Sequence, residues 1–558
     1  MRRLRAPAIA ATVLCAVLPA LATSAPVPRA SLPTRATAPF PTTTAVTLLW
    51  PVRGDRDRDA RVGVEYRRSG AGTWSRAMPL RRTPGGEAEG FRWPERHAGS
   101  VMGLTPGTRY EIRLRLRDPD GGSRTRVLRV RTRPIPAPMA GAPGRPATPA
   151  TLRAVLGAAR PGDIVTLGPG RYAAFTVDVN GTPGRPVVIR GTDGAVVEGE
   201  IGIFERRWVT LDRLAVEGRV RFNGTDHFTM TRSTVTARRD LEGHGIITNL
   251  RAANAYIADN TVLGTTAWTD AALGAEGANL GEGILVTGPG HVIEHNLVRG
   301  FRDGISLLED DAARDQFSID IAGNDIREAA DDGVEADFCV HNCRVTGNRL
   351  TDTFVAMSSQ PGLGGPTYFI RNSAYNVAHV AFKPYRGSSG DVLLNNTVVK
   401  AGDALGVYSA EPVTRLLTRN NLFIGGPGGT FGGYGNGSGR PLDIRTLVRP
   451  DMDFDAFGTS EAFTGVFGAV RFDGLAQLRS RTTERHAVQV DLGAFAAPVT
   501  APSPLIRHTP QDLRPAPGAA VVDAGVVIPN ITDGFAGTRP DIGAHEAGAP
   551  PPAYGPRP

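Results

Sequence analysis

"FSIDIAGN", residues 317–324, is the first of five short β-rich stretches that end in asparagine and recur along the chain. Their terminal asparagines lie 24 residues apart, and a further one, Asn296, precedes the first by 28 residues. A coil of short strands and turns that repeats at such a period stacks on its neighbours at strand spacing, about 4.8 Å. Asparagine at one fixed turn suits this stacking, because its side-chain amide can hydrogen-bond to the next coil. The sequence therefore predicts a solenoid of stacked β coils, marked by Asn324, Asn348, Asn372, Asn396 and Asn420.

Residues 1–25 have the pattern of a secretory signal peptide. Arg2, Arg3 and Arg5 precede an apolar run that ends in small residues and is too short for a comfortable membrane span. No later stretch of the sequence is long and apolar enough to be one, so we expect a secreted protein without stable membrane insertion. Glycine (68) and proline (44) are abundant and aromatic residues are sparse, which favours all-β structure with many turns.

The formal net charge of +8 suits an anionic partner such as an acidic polysaccharide. Nucleic acid is the weaker interpretation, because the sequence has no clustered basic and aromatic motif.

Removal of a signal peptide would leave Cys339 and Cys343 as the cysteines of the chain. Export permits a disulfide between them across a turn, whereas a cysteine-based zinc site lacks a second cysteine pair. We therefore expect a Cys339–Cys343 disulfide. We also expect the protein to be a monomer.

The region before the repeat predicts a separate small domain. Residues 26–38 and 136–149 are rich in proline and indicate linkers, and residues 39–135 carry short alternating segments typical of a β-sandwich. Within them, "GLTPGTRYEIRLRL" resembles the fibronectin type III pattern, with Tyr110 as its tyrosine corner and Trp50 as an early-strand core residue. This resemblance implies a module that acts as a spacer or binds a partner.

A second resemblance begins after the second linker. "ATLRAVLGAARPGDIVTLGPGRY", from residue 150, predicts a short amphipathic helix, a stop at Pro-Gly and then a strand. Together with "GTPGRPVVIRG", it resembles the start of right-handed parallel β-helix proteins of the pectate-lyase-like superfamily. The fold implied is all-β, with a right-handed parallel β-helix over 150–425. We expect a C-terminal loop and cap region over 426–546 and a disordered tail over 547–558.

The asparagine spacing also serves as a ruler for an acidic segment, "EAADDGVEADFCVHNC", which begins at residue 328. Asp303 and Asp331 each lie seven residues after their asparagine, so we expect them in one column on adjacent coils, with Asp332 next to them. Clustered carboxylates from neighbouring coils could bind calcium, which takes six to eight oxygen ligands. A solvated acidic turn neutralised by arginines is the alternative.

The same ruler places Lys383 in the column of Glu335, two coils further along. The chain has 61 arginines and two lysines, so a position that needs only positive charge would be an arginine here. Lysine can lose its proton when burial or nearby cations lower its pKa, and arginine effectively cannot. Lys383 is therefore a candidate general base, and Arg386 beside it could hold a substrate carboxylate. A surface lysine placed by chance is the alternative.

"DDGVE", at residues 331–335, resembles the Asp-Asp-Gly-x-Asp motif of the family-nine pectate lyases, which share the β-helix superfamily. The resemblance implies Ca²⁺ as cofactor and Lys383 as the Brønsted base, with Asp303, Asp331, Asp332 and Glu335 as metal ligands. Glu335 departs from the aspartate of the family, which leaves the ligand geometry open. Three further acids, Glu309, Asp310 and Asp337, could also join the site.

Weaker candidates for substrate binding are His379, which shares the column of Asp331, and Tyr368 and Tyr385, whose rings could stack on sugars. A lone histidine is more often structural.

A recurrent pattern of one polar residue, then glycine, then isoleucine or valine indicates a turn. It occurs at His244-Gly245, Glu282-Gly283, Asp303-Gly304 and Asp332-Gly333.

Together these features predict a secreted, calcium-dependent lyase that cleaves an acidic, uronate-containing polysaccharide by β-elimination. Two other functions stay open. A β-helix glycoside hydrolase would need a carboxylate pair, such as Asp332 with Glu335 or Asp337, in which one member acts as the acid. A non-catalytic carbohydrate-binding surface protein could use the same scaffold.

Overall fold

The computed structural model describes residues 28–309 and 313–558; the predicted signal peptide, 1–25, and Asp310 lie outside them. Strands dominate the described residues, and the helices are short. They are the α-helices Leu152–Gly157 and Leu475–Arg481 and the 3₁₀ helices Arg239–Leu241, Asp270–Ala272 and Leu492–Ala494. Within the described residues, no helix has both the length and the apolar character needed to cross a bilayer.

Two large parallel sheets make the main body of the chain a parallel β-helix, which confirms the predicted fold class. The strands of the first sheet are Gly144–Ala147, Ile164–Leu167, Val187–Gly191, Val209–Asp212, Thr229–Thr231, Tyr256–Ala258, Val292–Glu294, Asp320–Ala322, Cys343–Thr346, Leu363–Ile370, Ser389–Leu394, Val413–Thr414, Leu417–Arg419, Leu447–Val448 and Asp451–Met452. Those of the second are Gly170–Thr176, Ala195–Gly202, Ala215–Arg221, Thr234–Thr236, Ile246–Ile247, Thr261–Leu263, Glu282–Val286, Leu297–Phe301, Asp303–Leu307, Asp325–Glu335, Arg349–Ser358, Ser373–Val377, Phe382–Lys383, Thr397–Val399, Leu422–Ile424, Ala456–Gly458 and Val488–Val490. Smaller sheets contain Leu405–Val407, Leu442–Ile444, Thr464–Phe467 and Val470–Asp473, and the hairpin Thr430–Phe431 with Tyr434–Gly435.

Each coil near the middle of the β-helix supplies one strand position to the first sheet and two to the second. The long strand Asp325–Glu335 fills both positions of its coil, because it pairs with Leu297–Phe301 and then with Asp303–Leu307. Apolar side chains stack inside the coils in register, as Ile293, Ile321 and Val345 do with almost no exposure. Burial of one such side chain stabilises the fold by about 1.5–3 kcal/mol.

The predicted asparagine turns form a buried hydrogen-bonded ladder. The backbone N–H of Asn324 donates to Oδ1 of Asn348 at 3.0 Å, and its side-chain amide donates to the same oxygen at 2.9 Å. Asn348 bonds to Asn372 in the same way. Since these side chains are 0 % exposed, the ladder satisfies polar groups that water cannot reach. Its members are Asn260, Asn296, Asn324, Asn348, Asn372, Asn396 and Asn421.

Asn420, the last asparagine of the predicted period, is not a member of this ladder. The coil after Asn396 is one residue longer, and Asn421 takes the ladder position. Asn420 has a φ of 58° and exchanges hydrogen bonds with the backbone of Val526. At the end of the ladder, Asp455 accepts a hydrogen bond from the backbone N–H of Asn421 at 2.7 Å. A carboxylate suits this position, because it only has to accept hydrogen bonds.

The β-helix extends beyond the predicted range of 150–425. Its first strand, Gly144–Ala147, lies within the predicted 136–149 linker, where Pro146 is tolerated because this strand is at the edge of the sheet. The parallel stack continues to Val488–Val490, inside the predicted cap region of 426–546. The predicted disordered tail, 547–558, packs back on the coils, where Arg557 pairs with Asp259 at 2.8 Å.

Residues before the β-helix form an antiparallel unit with its own core, which includes Trp50 and Tyr110. The hydroxyl of Tyr110 accepts a hydrogen bond from the backbone N–H of Thr105 at 2.9 Å, the interaction expected of a tyrosine corner. The fibronectin type III assignment itself stays a prediction. The strands are Ser31–Pro33, Val46–Gly54, Arg61–Arg68, Ser75–Thr83, Arg96–Val101, Arg109–Arg117 and Arg124–Arg131, with the hairpin Gly86–Ala88 and Phe91–Trp93. Ser31–Pro33 lies in the predicted 26–38 linker, which is therefore partly structured.

The antiparallel unit packs against the first sheet of the β-helix through buried polar contacts. Arg344, 1 % exposed, forms an ion pair with Asp320 and donates to the hydroxyls of Thr47 and Ser100 at 3.0 and 3.1 Å. The side-chain amide of Asn342 donates to the carbonyl of Gly99 at 2.6 Å. The unit therefore covers the face of the β-helix formed by the first sheet in this region.

Loss of one ladder member tests how far the ladder supports the fold. Asn348→Ala should lower the free energy of unfolding by about 1–3 kcal/mol for each buried group left unpaired, because the amide groups of Asn324 lose their acceptor. Urea denaturation followed by circular dichroism measures the change. The matched control is Asn249→Ala, at an exposed asparagine outside the ladder, and equal effects of the two variants would contradict this role.

Candidate functional site

Acidic side chains line one column of the second sheet because of the stacked register. Glu282 pairs in register with Asp303, and the pairing of Ile305 with Val334 brings Asp303 level with Asp332. The recurrent pattern of a polar residue followed by glycine therefore marks this column and not, as predicted, a turn. A Cβ atom at Gly304 would come within 2.5 Å of the carbonyl oxygen of the next coil, so the position after each acid has no room for a side chain.

Asp303, Asp331 and Asp332 form one compact carboxylate cluster. Their oxygens lie within 4.8 Å of one another, and the three residues are 3, 6 and 0 % exposed. The backbone N–H of Asp332 donates to Oδ1 of Asp303 at 2.8 Å. The predicted column partner of Asp303 was Asp331, and the structure puts Asp332 there instead. An irregularity between Ala329 and Asp332 shifts the register, and Asp331 still reaches the cluster.

Glu335, the fourth predicted ligand, lies beside this cluster but not within it. Its carboxylate groups with Glu282 and Asp303 on one side, and with Glu309 and Asp337 on the other. Glu282 was not predicted as a site residue, although the polar-glycine pattern contained the signal. Its carboxylate accepts a hydrogen bond from the hydroxyl of Ser306 at 2.8 Å.

Lys383 stands in the column of Glu335, as predicted from the repeat: Glu335 pairs with Ser358, and Ser358 with Lys383. Its Nζ atom lies 2.5 Å from Oδ2 of Asp332, and the lysine side chain is 11 % exposed. Burial lowers the pKa of Lys383, but the carboxylates around it, with Asp332 foremost, raise this pKa well above its usual value. Without a metal ion, Lys383 is therefore a cation.

Burial is the main cause that raises the pKa values of the clustered carboxyls. The pKa of Asp303 lies well above its usual value, because Glu282, Asp331 and Asp332 add repulsion to burial. Burial and then the charge of Asp332 raise the pKa of Asp331 to about 6. Burial and repulsion also raise the pKa of Glu335 well above its usual value. A cation that binds this group would therefore have to displace protons from it, and its charge would lower these pKa values again.

The donor atoms of the cluster fit calcium. All three residues offer carboxylate oxygens, the hard ligands that Ca²⁺ prefers. Oδ1 of Asp332 is buried and, among the described residues, has no hydrogen-bond partner, although the other oxygen pairs with Lys383. A buried carboxylate oxygen without a partner is costly, and a metal ion would satisfy it.

The arginine at the site is Arg302 and not the predicted Arg386. Nε of Arg302 lies 3.4 Å from Asp303, and Nη2 lies 3.6 Å from Asp331, while 41 % of the arginine side chain stays exposed. Arg386 is exposed, has a φ of 52° and does not line the cavity described below. A left-handed turn residue of this kind is a local feature that the spacing of the repeat does not predict. The signal for Arg302 was its position next to Asp303.

Lys383 and Asp331 line an open cavity of about 510 Å³ with an aromatic wall. His379 and Tyr385, which were predicted to bind substrate, both belong to this wall. Their role in substrate binding stays a prediction. The ring of His379 stacks on Phe354 at 5.0 Å. Burial, with the charges of Lys400 and Lys383, lowers the pKa of His379 to about 3, so this ring is neutral. The other aromatic lining residues are Phe354, Tyr408 and Tyr434.

Tyr368 is not part of this cavity. It lies in the strand Leu363–Ile370 of the first sheet, 2 % exposed, beneath the antiparallel unit. Its hydroxyl is directed toward Gly99 and Ser100, and burial raises its pKa to about 12. The prediction failed because residues on the first sheet meet a neighbouring domain that the repeat alone does not reveal.

The predicted disulfide between Cys339 and Cys343 is present, with a Cα–Cα distance of 6.3 Å. It closes the turn that follows the acidic strand. Both sulfurs are buried in the core of the β-helix.

Comparison with known proteins assigns no family to this chain. No protein-family model matches it, and no curated protein matches it. Solved structures do match, among them the family 28 exopolygalacturonase of Yersinia enterocolitica, at 12 % identity over 79 % of this chain and 97 % of that one. The TM-score of that match is 0.26, so nothing about function follows from it.

Calcium should stabilise the protein most at alkaline pH. Carboxyls whose folded-state pKa is raised contribute stability at low pH and lose it as pH rises through that pKa. Without calcium, the melting temperature should therefore fall between about pH 5 and about pH 8, and calcium should restore it at the upper end. Toward about pH 5 the calcium effect should shrink, because protons compete for Asp331, whose pKa is about 6.

Differential scanning fluorimetry with calcium or with EGTA measures this dependence. Asp331→Asn should reduce the calcium-induced rise in melting temperature, and Asp193→Asn, at an exposed aspartate outside any carboxylate cluster of the described residues, should not. A rise that is independent of pH in the wild type would contradict calcium binding at these carboxyls.

Proposed function

We propose that this protein is a secreted, calcium-dependent polysaccharide lyase that cleaves a uronate-containing polysaccharide by β-elimination. One observation carries the proposal: the amine of Lys383 lies 2.5 Å from Asp332, within a three-aspartate cluster at the wall of an open cavity. An acidic pocket that faces a lysine supplies a cation position and a base within one site.

Asp303, Asp331 and Asp332 are the residues that would hold calcium, with Glu335 at their side. When bound, calcium would withdraw charge from the C6 carboxylate of a uronate and so increase the acidity of the C5 proton. The rest of the reaction falls to side chains of the chain itself.

Lys383 is the proposed base, and its surroundings allow a switch of its protonation state. Burial is the largest influence on its pKa and acts to lower it; the carboxylates reverse that effect. Neutralising those carboxylates with a divalent cation would leave burial to dominate, and would favour the neutral amine. Arginine could not replace it, because a guanidinium stays protonated.

The elimination balances with one base. Nζ of Lys383 takes the C5 proton, the electrons of the C5–H bond form the C4–C5 double bond, and the C4–O bond breaks. The leaving oxygen then takes a proton from water. Arg302 is the proposed partner of a substrate carboxylate, because its guanidinium is charged and partly exposed beside the cluster. Tyr385 and the neutral His379 offer faces for sugar rings.

The remaining parts of the proposal concern the location and partners of the protein. A signal peptide over 1–25 would export it, and the positive net charge of +8 would favour an acidic glycan over nucleic acid. We propose a monomer, in which the fibronectin type III-like unit stiffens the β-helix through its packing on the first sheet.

Removal of the base tests the chemistry. Lys383→Ala and Lys383→Arg should each lower kcat on the cleaved polyuronate by about 10²–10⁴-fold, because neither can accept the C5 proton. A panel of polyuronates is assayed with calcium and with EGTA, by the ultraviolet absorbance of the unsaturated product. The matched control is Arg386→Ala, an exposed cation outside the cavity, which should keep activity near that of the wild type.

Full activity of Lys383→Arg would contradict the base assignment. New reducing ends without ultraviolet absorbance would identify a hydrolase instead, with paired carboxylates as its catalysts. No cleavage of any acidic glycan would favour a binding protein.

A further inference from the structure

A second group of carboxylates lies next to the proposed calcium position. The oxygens of Glu309, Glu335 and Asp337 lie within 4.8 Å of one another. Glu335 and Asp337 are buried, at 9 and 0 % exposure, whereas Glu309 is exposed. This group therefore has one side open to solvent, through which an ion could enter.

Asp337 is held in place with one oxygen left over. Its Oδ1 accepts hydrogen bonds from the hydroxyl of Ser358 at 2.6 Å and from the backbone N–H of Gln360 at 2.7 Å. Its Oδ2 is fully buried and, within residues 28–309 and 313–558, has no hydrogen-bond partner. A fixed carboxylate with one unsatisfied buried oxygen beside two other carboxylates is a preformed half of a cation site.

Gln316 lies next to Asp337 and has a side-chain oxygen without a partner among the described residues. Its side-chain amide donates to the carbonyls of Leu308 and Asp337, at 3.2 and 3.1 Å, which fixes the group between them. Its Oε1 is buried and has no hydrogen-bond partner among the described residues. Amide oxygens are common calcium ligands, together with carboxylates.

Protein cations neutralise this group only in part, because the charge of Lys383 acts on Asp337 and Glu335 without forming an ion pair with either. In the part of the chain that the structure describes, no arginine or lysine lies within ion-pair distance of Glu309, Glu335 or Asp337. Arg302 and Lys383 pair instead with the first cluster. One divalent cation in that cluster would still leave these three carboxylates repelling one another, and two of them are buried, which is costly.

We propose that Glu309, Glu335 and Asp337 bind a second divalent cation, calcium by the chemistry of the oxygen donors, with Glu335 between the two positions. This second position does not depend on lyase chemistry, because its ligands neither include Lys383 nor line the cavity. It would fix the turn after the acidic strand and hold Glu335 beside the first cluster.

Calcium stoichiometry tests the second position. The full chain is freed of metal with a chelator, and calcium is titrated by isothermal titration calorimetry at about pH 8, where protons compete less with calcium for the carboxyls than at lower pH. The wild type should bind one calcium ion more than Glu309→Gln or Asp337→Asn, or bind that ion at least about tenfold more tightly. Calcium bound elsewhere on the chain is common to all variants and cancels in the comparison.

Four variants make the outcome decisive. Glu309 is exposed, so Glu309→Gln should fold normally, and Glu276→Gln is the matched control at another exposed glutamate. Equal stoichiometry and affinity in the wild type, Glu309→Gln and Asp337→Asn would overturn the second position. If Asp332→Asn alone loses an ion, the first position stands and the second is refuted. A wild type that binds no calcium refutes both.

Discussion

Stacking in strict register is the constraint on which the rest of this structure depends. Each coil lies one strand spacing from the next, so residues at equal positions must meet, whatever their charge. The buried ladder from Asn260 to Asn421 holds that register, because each amide satisfies the backbone of the preceding coil. A slip by one residue would leave buried polar groups unpaired along the whole stack. The ladder thus makes it possible to hold like charges together elsewhere.

The acidic column exploits this rigidity. Glu282, Asp303 and Asp332 occupy equivalent places on successive coils, and glycine after each of them lets the backbones pack closely. Lys383 and Arg302 compensate part of the repulsion between these acids. The remaining repulsion adds to burial in raising their pKa values, as it does for Asp303. A site under such electrostatic strain is one that gains from a divalent cation. The same negative charge makes cation binding depend on pH. It also holds Lys383, the proposed base, next to the position of the cation.

Lys400 of this arginine-rich chain is buried and Lys383 is largely buried, and each has a specific environment. Lys383 faces the carboxylates, and Lys400, 1 % exposed, donates to the carbonyls of Ala401 and Asp403. Burial lowers the pKa of Lys400 to about 7. The pKa of lysine shifts readily on burial, whereas a guanidinium stays protonated. The scarcity of lysine was therefore informative in the sequence, since both lysines lie in environments that act on their protonation.

The period of the repeat was enough to predict the β-helix, the ladder up to Asn396 and the column that joins Glu335 to Lys383. Local irregularities of the coils could not be predicted from this period. One extra residue moved the ladder from Asn420 to Asn421, and a shift before Asp332 exchanged Asp331 for Asp332 as the partner of Asp303. Contacts between distant segments were also hidden: Tyr368 meets the antiparallel unit, which no spacing rule contains. Offsets locate a residue along the coil, but bends and docking decide where its side chain points.

A crystal structure of the full chain with calcium tests the central claim most directly, with the anomalous signal used to locate the ion. The account predicts a peak at about 2.3–2.6 Å from oxygens of Asp303, Asp331 and Asp332, with Lys383 facing the same pocket. An empty cluster at saturating calcium, with Lys383 still paired to Asp332 and the ion bound elsewhere, would contradict it.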